Sequence, residues 1–131
     1  MTYTNGVQIV QTFDGKRILK SGAIGTTTVE EVQWLSQKLL CLSSQWKSEG
    51  WAYIVDVKKT LPVDNEVVQE LIDLHKRIDA AGCKAMVFVD FAISLVGRNA
   101  VEYHKKSETS ISEKTVRTQE EAFAYINTIL K

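Results

Sequence analysis

Two apolar runs in the middle of the chain determine its architecture: WAYIVDV at Trp51–Val57 and KAMVFV at Lys84–Val89. Each run is apolar at nearly every position, which is typical of a strand that is covered on both faces. Between them, residues 65–81 have helical periodicity, and Gly82 follows in the position that ends many helices. The inward stripe of this helix consists of Val67, Val68, Leu71, Leu74 and Ile78. The strand, helix, glycine and second strand form a βαβ crossover, so the two strands are predicted to be parallel.

A β-hairpin is predicted before this unit. Val7–Phe13 and Lys16–Ile24 are strand-like runs, and Asp14-Gly15 separates them. Asp-Gly between two such runs favours a type I′ turn, in which both central residues have positive φ. The hairpin is therefore expected at one side of the parallel strands.

The first helix is predicted to begin after Thr28. Thr28 and Glu31 have the spacing of a capping box, in which two free backbone N–H groups are satisfied reciprocally. The helix is expected to run to about Lys47, with Gly50 ending it. Its core stripe recurs at helical spacing and consists of Val32, Leu35, Leu39, Leu42 and Trp46.

The last third of the chain adds two helices around a polar segment. A third helix is predicted from Ile93 to about His104, and Lys105–Thr115 is predicted to be a mobile loop because nearly all of it is polar. Lys114–Arg117 is a candidate short strand, and Thr118 opens a terminal helix with the same capping spacing. The predicted order is β-β-α-β-α-β-α-β-α. It implies one α/β domain over residues 1–131, whose mixed sheet has a parallel centre and an antiparallel amino-terminal hairpin and is packed by helices.

The composition is that of an ordinary globular domain, with 44% hydrophobic residues and 16 basic against 16 acidic side chains. Balanced charge without a basic stripe disfavours nucleic acid as a partner. No apolar run approaches the roughly 18 residues of a membrane span, and Met1–Val10 lacks the pattern of a secretory signal. The two cysteines, Cys41 and Cys83, fall in separate predicted elements. Reduced thiols and a cytoplasmic location are therefore predicted.

The element order resembles that of the STAS family, the domain of bacterial anti-sigma-factor antagonists. The resemblance is carried by the strand ending in VFVD at 87–90, the short helix after it, and the closing helix with EEAFAYI at 120–126. It extends over nearly the whole chain from the hairpin onward, and it implies a regulatory, protein-binding role. Some relatives in the divergent SpoIIAA-like branch are likened to Sec14-type lipid-binding domains.

The same resemblance indicates where a phosphorylation switch would lie. In phosphorylated STAS domains an Asp precedes the acceptor Ser at the start of the second helix, and that helix end contacts the partner. Here Asp56 matches the family's strand Asp and Asp64 matches the Asp before the acceptor, but Asn65 stands in the acceptor position. Because Asn cannot accept a phosphoryl group, this chain is predicted to lack the switch. Asp64 is also the predicted N-cap of the second helix.

Asp56 and Asp90 sit at the C-terminal ends of the two parallel strands, at the edge where open α/β sheets bind ligands. Two carboxylates there could hold Mg²⁺, or each could accept hydrogen bonds from loop N–H groups just beyond its strand. A receiver-type Mg²⁺ site would need a third acidic residue early in the chain, and Asp14 is badly placed for it. No metal is therefore assigned. The candidate partner or ligand surface comprises Asp56, Asp64, Asn65, Asp90 and Ser94.

No catalytic constellation is found, so the chain is predicted not to be an enzyme and no cofactor is assigned. His75 flanks the core stripe of the second helix and is predicted to be half-buried and hydrogen-bonded. His104 lies on a different helix, and neither histidine has zinc-ligand spacing. Cys41 and Cys83 lack a nearby histidine in the sequence that would favour a nucleophilic thiolate.

Trp34 and Cys41 fall almost opposite the core stripe of the first helix on a helical wheel. A large aromatic side chain on an outer face tends to mark a contact site. These two residues are therefore the candidate oligomer interface, most simply that of a two-fold homodimer. Two alternatives are open: Trp34 lies flat against the aliphatic stems of its neighbours, or the helix is rotated.

Together these features predict a non-catalytic regulatory or scaffold module that binds another protein and is not switched by phosphorylation. The alternative is a small-molecule or lipid-binding domain that uses a cavity between the sheet and the helices. Native mass spectrometry of protein purified from cells distinguishes the two, since only the second would carry a ligand.

Overall fold

The structure is a computed structural model that describes residues 1–25, 27–59, 62–92 and 94–130. Within these ranges six strands form one sheet, and their spatial order is their order along the chain. The strands are β1 (Thr2–Thr4), β2 (Gln8–Thr12), β3 (Ile18–Ala23), β4 (Trp51–Asp56), β5 (Cys83–Val89) and β6 (Ser112–Val116). The pairs β1–β2 and β2–β3 are antiparallel. The pairs β3–β4, β4–β5 and β5–β6 are parallel.

The helices of the described residues are α1 (Val29–Ser43), α2 (Asn65–Ala80), α3 (Leu95–Lys106) and α4 (Gln119–Ile129), with a short 3₁₀ turn at Ser44–Trp46 after α1. The predicted capping box at the start of α1 is present. Thr28 Oγ1 accepts from the Glu31 N–H at 3.3 Å, and Glu31 Oε1 accepts from the Thr28 N–H at 2.8 Å. These elements confirm the predicted fold class: a mixed α/β domain with an antiparallel hairpin and a parallel centre.

The helices cover both faces of the sheet and enclose two cores. α1, α2 and α3 lie on one face, where Tyr53 and Phe88 belong to the first core. α4 lies on the other face, where Ile126 packs with Ile54 in the second core. Because successive strand residues point to opposite faces, β4 contributes to both cores. This explains why its sequence is apolar without alternation.

β1 is a strand that the sequence did not predict. It pairs with β2 and places Tyr3 opposite Val10. The turn between the two strands contains Gly6, whose φ of 101° suits glycine. Tyr3 is partly buried against the first core. The sheet therefore extends one strand further on the hairpin side than predicted.

Two predicted connections were wrong. In the β2–β3 turn Gly15 has a φ of 69°, but Asp14 is not in the positive-φ region, so the turn is not type I′. Lys105–Thr115 is not one mobile loop, because α3 extends into it and β6 begins within it. Pairing with β5 provides the backbone hydrogen bonds of this polar segment. Tertiary context has overridden its composition.

Two helix limits also differ from expectation. α1 ends at Ser43, and the chain continues through the 3₁₀ turn to Gly50, whose φ is 88°. The expected start of α3 at Ile93 lies outside the described residues, and its first helical residue is Leu95. In α2, Ile72 and His75 join the buried side, while Val68 and Leu71 are only partly buried.

Candidate functional site

Three connecting loops leave the sheet at one edge. Gly22 of β3, Asp56 of β4 and Val89 of β5 are in register, so the loops after these parallel strands start side by side. The Gly25 N–H donates to the Lys59 carbonyl oxygen at 3.0 Å, which joins the first two loops. This carboxyl edge is where open α/β folds bind ligands.

Asp90 is buried at this edge and organises the start of α3. Its Oδ2 accepts from the Ser94 N–H at 2.7 Å and from the Ser94 hydroxyl at 3.1 Å. Ser94 Oγ in turn accepts from the Gly97 N–H at 3.0 Å and caps the helix. A Cβ on Gly97 would lie only 2.9 Å from the Asp90 carboxyl carbon, so the helix needs glycine there. Asp90 and Ser94 are therefore engaged in shaping the turn.

Asp56 is half-buried and also has partners within the protein. One carboxylate oxygen accepts from the Lys58 N–H at 3.0 Å, and the other lies 3.7 Å from Lys20 Nζ. Asp56, the last residue of β4, and Asp90, the residue after β5, thus both accept N–H bonds from the loops that follow their strands, as expected of aspartates in this position. Among the residues that the structure describes, no three His, Cys, Asp or Glu side chains are placed to share a metal ion.

Asp64 and Asn65 lie at the exposed start of α2. Asp64 has the extended backbone of an N-cap, with φ −74° and ψ 162°, but its side chain accepts no capping hydrogen bond. The expected capping role was therefore wrong for the side chain. Because Asp64 is exposed, water can satisfy the free N–H groups of the first turn. Asn65 is the first residue of the helix and is exposed.

Large apolar side chains project from the same edge, and the sequence analysis missed them. Phe91 is 73% exposed, Leu95 63% and Ile24 52%. Since paired strands lie about 4.8 Å apart, the loops carrying Ile24 and Phe91 leave the sheet roughly 10 Å from each other. We call Ile24, Phe91 and Leu95 the carboxyl-edge surface. The available signal was Phe91 directly after the VFVD run, in a loop that polar residues usually occupy.

A cavity of about 100 Å³ lies between the sheet and the helices, and its lining includes the exposed Pro62 near this edge. A dry cavity of about 150 Å³ suffices for benzene, and drug-sized ligands occupy about 300–1,000 Å³. The cavity therefore has room for a very small molecule and not for a lipid chain. Its apolar walls include Val32, Leu35, Leu74 and Val96.

Polar groups on the cavity wall are paired with one another. The hydroxyls of Ser21 and Tyr53 form a short hydrogen bond. Burial raises the pKa of Tyr53, which keeps its phenol neutral. Gln8 Nε2 donates to Thr27 Oγ1 at 2.8 Å. The wall thus offers these neutral hydrogen-bonding groups, with Asp56 as the one acidic residue in the described part of its lining.

His75, also on the cavity wall, stacks obliquely on His104, with ring centroids 5.4 Å apart. Both are 5% exposed, so the expected half-burial of His75 was wrong. Nδ1 of each ring is buried and has no hydrogen-bond partner among the described residues, while His104 Nε2 lies 3.4 Å from the Ile111 carbonyl oxygen. Burial, reinforced by His104, lowers the pKa of His75 to about 3. Burial also lowers the pKa of His104.

Trp34 and Cys41 do not form one exposed patch. Trp34 is partly buried against the first core, and Lys38 Nζ lies 5.8 Å from its ring centroid and 4.8 Å from that of Tyr3. The unpredicted β1 supplies Tyr3, which explains why Trp34 is less exposed than the helical wheel indicated. Cys41 is exposed and Cys83 is buried, and both are free thiols. The homodimer remains a prediction.

Known proteins resemble this chain in fold and not in sequence. No family model matches it, and no curated protein matches it. Among solved structures, a chain in the crystal structure of the diguanylate cyclase SiaD in complex with its activator SiaC from Pseudomonas aeruginosa superposes with a TM-score of 0.56 at 11% identity. The match covers 88% of this chain and 99% of that chain, so the two have similar lengths.

At this identity the likeness establishes a shared fold alone, and membership of the STAS family stays a prediction. Among the described residues, no helix combines the length and the apolarity that crossing a bilayer requires. The superposition thus shows that the α/β architecture of this chain also occurs in a solved structure.

Proposed function

We propose that this chain is a non-catalytic regulatory module that binds another protein through the carboxyl-edge surface. The observation that carries the proposal is the exposure of Phe91 and Leu95, at 73% and 63%, on either side of Ser94. Asp90 accepts two hydrogen bonds from Ser94. A partner that covers these apolar side chains would remove their surface from water, which favours association. Such groups are typical of interface centres.

The comparison with a solved complex supports a regulatory role. The superposed chain comes from a structure that contains an enzyme and its activator. A fold of this kind therefore occurs in an assembly in which one protein controls another.

The carboxylates at the edge support a non-catalytic role. Asp56 and Asp90 each accept hydrogen bonds from nearby chain segments, so neither is free to serve as a general base without breaking that turn. Asn65 at the start of α2 lacks the hydroxyl that a kinase would need. We therefore propose that partner binding is not controlled by phosphorylation at this position.

The test compares the wild type with a Phe91→Ser, Leu95→Ser double variant. Proteins captured from the source cells are identified by quantitative mass spectrometry, and the leading partner is then purified and its affinity is measured directly. Central apolar contacts contribute at least about 1–2 kcal/mol each. The double variant should therefore bind at least about tenfold more weakly.

The matched control is a Lys47→Ser, Lys76→Ser double variant. Both lysines are exposed and lie outside the carboxyl-edge surface. The control should bind like the wild type. Equal affinity of the partner for the wild type and the Phe91→Ser, Leu95→Ser variant would refute the proposed surface.

A second function, binding of a very small neutral molecule, is favoured by the cavity of about 100 Å³ beside Ser21, Tyr53 and His75. Its volume argues against the lipid alternative. Native mass spectrometry of protein isolated from cells should then show a small added mass. Only the unmodified mass, together with an unchanged melting temperature after dialysis, would contradict this function.

A further inference from the structure

A groove of about 220 Å³ lies at the carboxyl edge, on the sheet face that carries α4. α4 packs mainly over β5 and β6, so the start of β2 and the end of β3 on this face are left uncovered. We call this concavity the basic groove. The side chains that define it are Ile9, Gln11, Lys20, Ile24, Asp56, Lys58 and Lys59, with Gly22 between them.

The floor of the groove is open because one strand position lacks a side chain. Gly22 pairs with Ile9 across the β2–β3 ladder. A Cβ on Gly22 would meet the Asp56 carbonyl oxygen at 3.5 Å and the Asp56 Cβ at 3.7 Å, which are ordinary contacts. Backbone packing therefore does not require glycine here. The missing side chain instead leaves space above the sheet.

The groove carries an excess of positive charge. Lys20, Lys58 and Lys59 line it together with one carboxylate, that of Asp56. Asp56 is already held by the Lys58 N–H and by Lys20 Nζ. Within the described ranges, the ammonium groups of Lys58 and Lys59 form no ion pair with a carboxylate. Three ammonium groups against one carboxylate leave a charge of +2 in a concave site, where the field is focused.

We propose that the basic groove binds a small organic phosphate monoester. A phosphate monoester carries a charge near −2 at neutral pH, which balances the excess charge of the groove. Lys58 and Lys59 would donate to the phosphate oxygens, and Gln11 adds an amide donor to the wall. The organic portion would lie over Gly22, against the apolar side chains of Ile9 and Ile24.

The experiment titrates the full chain with phenyl phosphate and with inorganic phosphate at low ionic strength, and follows backbone amide shifts by NMR. Saturable shifts are expected for Gly22, Lys58 and Lys59, with phenyl phosphate binding more tightly than inorganic phosphate. A Lys58→Gln, Lys59→Gln variant should bind at least about tenfold more weakly, since hydrogen bonds to charged groups are strong. A Lys47→Gln, Lys76→Gln variant has the same change in net charge and should bind like the wild type.

Gly22→Ala provides a second variant that the backbone tolerates. Its methyl group occupies the floor of the groove, so phenyl phosphate binding should weaken more than inorganic phosphate binding. Wild-type affinity in the Lys58→Gln, Lys59→Gln variant, or no saturable shift with phenyl phosphate, would overturn the proposal. Ile24 belongs to both the groove and the carboxyl-edge surface. Phe91 and Leu95 do not line the groove, so the Phe91→Ser, Leu95→Ser variant should bind phenyl phosphate like the wild type, and the two proposals can fail separately.

Discussion

We expect mild acid to destabilise the protein through His75. His75 is 5% exposed, and within the part of the chain that the structure describes its buried Nδ1 has no hydrogen-bond partner. Its folded-state pKa of about 3 lies below the ordinary value of 6.5. As the pH falls through 6.5, the unfolded chain binds a proton at this residue while the folded protein does not. Stability contributed by the neutral ring is therefore complete above that pH and is lost progressively below it.

The size of the effect follows from the two pKa values of His75. One pKa unit corresponds to about 1.4 kcal/mol, so a shift from about pH 7 to about pH 5 should lower the free energy of unfolding by about 2 kcal/mol. His104 shifts in the same direction and adds to the loss. This interval lies above the ordinary pKa values of carboxyl groups, which are about 4. Acidic side chains should therefore contribute little to the change.

The measurement is urea denaturation at the two pH values for the wild type and for His75→Leu. Leucine has no titrating group, so the variant should lose about 2 kcal/mol less than the wild type over this interval. Lys76→Leu is the control on the exposed face of the same helix, and it should keep the wild-type pH dependence. If His75→Leu loses as much stability as the wild type, the ring is not held neutral in the folded protein.

Three further predictions concern local stability and reactivity. Thr28→Ala removes a capping hydrogen bond and should lower the free energy of unfolding by about 1 kcal/mol in urea melts, whereas Asp64→Ala should cost about 0.5 kcal/mol or less. Equal losses of unfolding free energy in the two variants would contradict the difference in capping between Thr28 and Asp64. Gly97→Ala should destabilise by about 1–3 kcal/mol, because the methyl group would meet a buried carboxylate; a rise in melting temperature would contradict that packing. Burial raises the pKa of the Cys83 thiol to about 12. A thiol reagent should therefore modify Cys41 rapidly and Cys83 only when the protein unfolds. Rapid modification of both cysteines in the folded protein would show that Cys83 is not buried.

The sequence was sufficient for the parts of the fold that local patterns encode. The apolar runs of β4 and β5, the helix between them and the capping box at Thr28 all appear as predicted. Each depends on hydrophobic periodicity or on a short-range hydrogen bond, so it can be identified from neighbouring residues. β1 could not be identified in this way, because its three residues are too few to show the periodicity of a strand.

The parts of the candidate site that depend on packing were not predictable. His75 and His104 meet only because α2 and α3 are neighbours in the folded protein. The proximity of Lys20 to Lys58 likewise requires the parallel pairing of β3 with β4. The carboxyl-edge surface also combines two distant segments, since Ile24 follows β3 while Phe91 and Leu95 follow β5. The spacing of residues along one sequence does not reveal which of them lie close together in the folded protein. Covariation between positions could reveal such contacts, but a single sequence contains none.

The strand order has a consequence for how the chain folds. Each strand of β1–β6 is bonded only to its immediate predecessor and successor along the chain. No strand must therefore wait for a distant segment to be inserted between its neighbours, although each parallel pair joins residues about 30 positions apart and so closes a long connection. During synthesis the sheet can grow from one edge to the other, each emerging strand adding to a template that already exists.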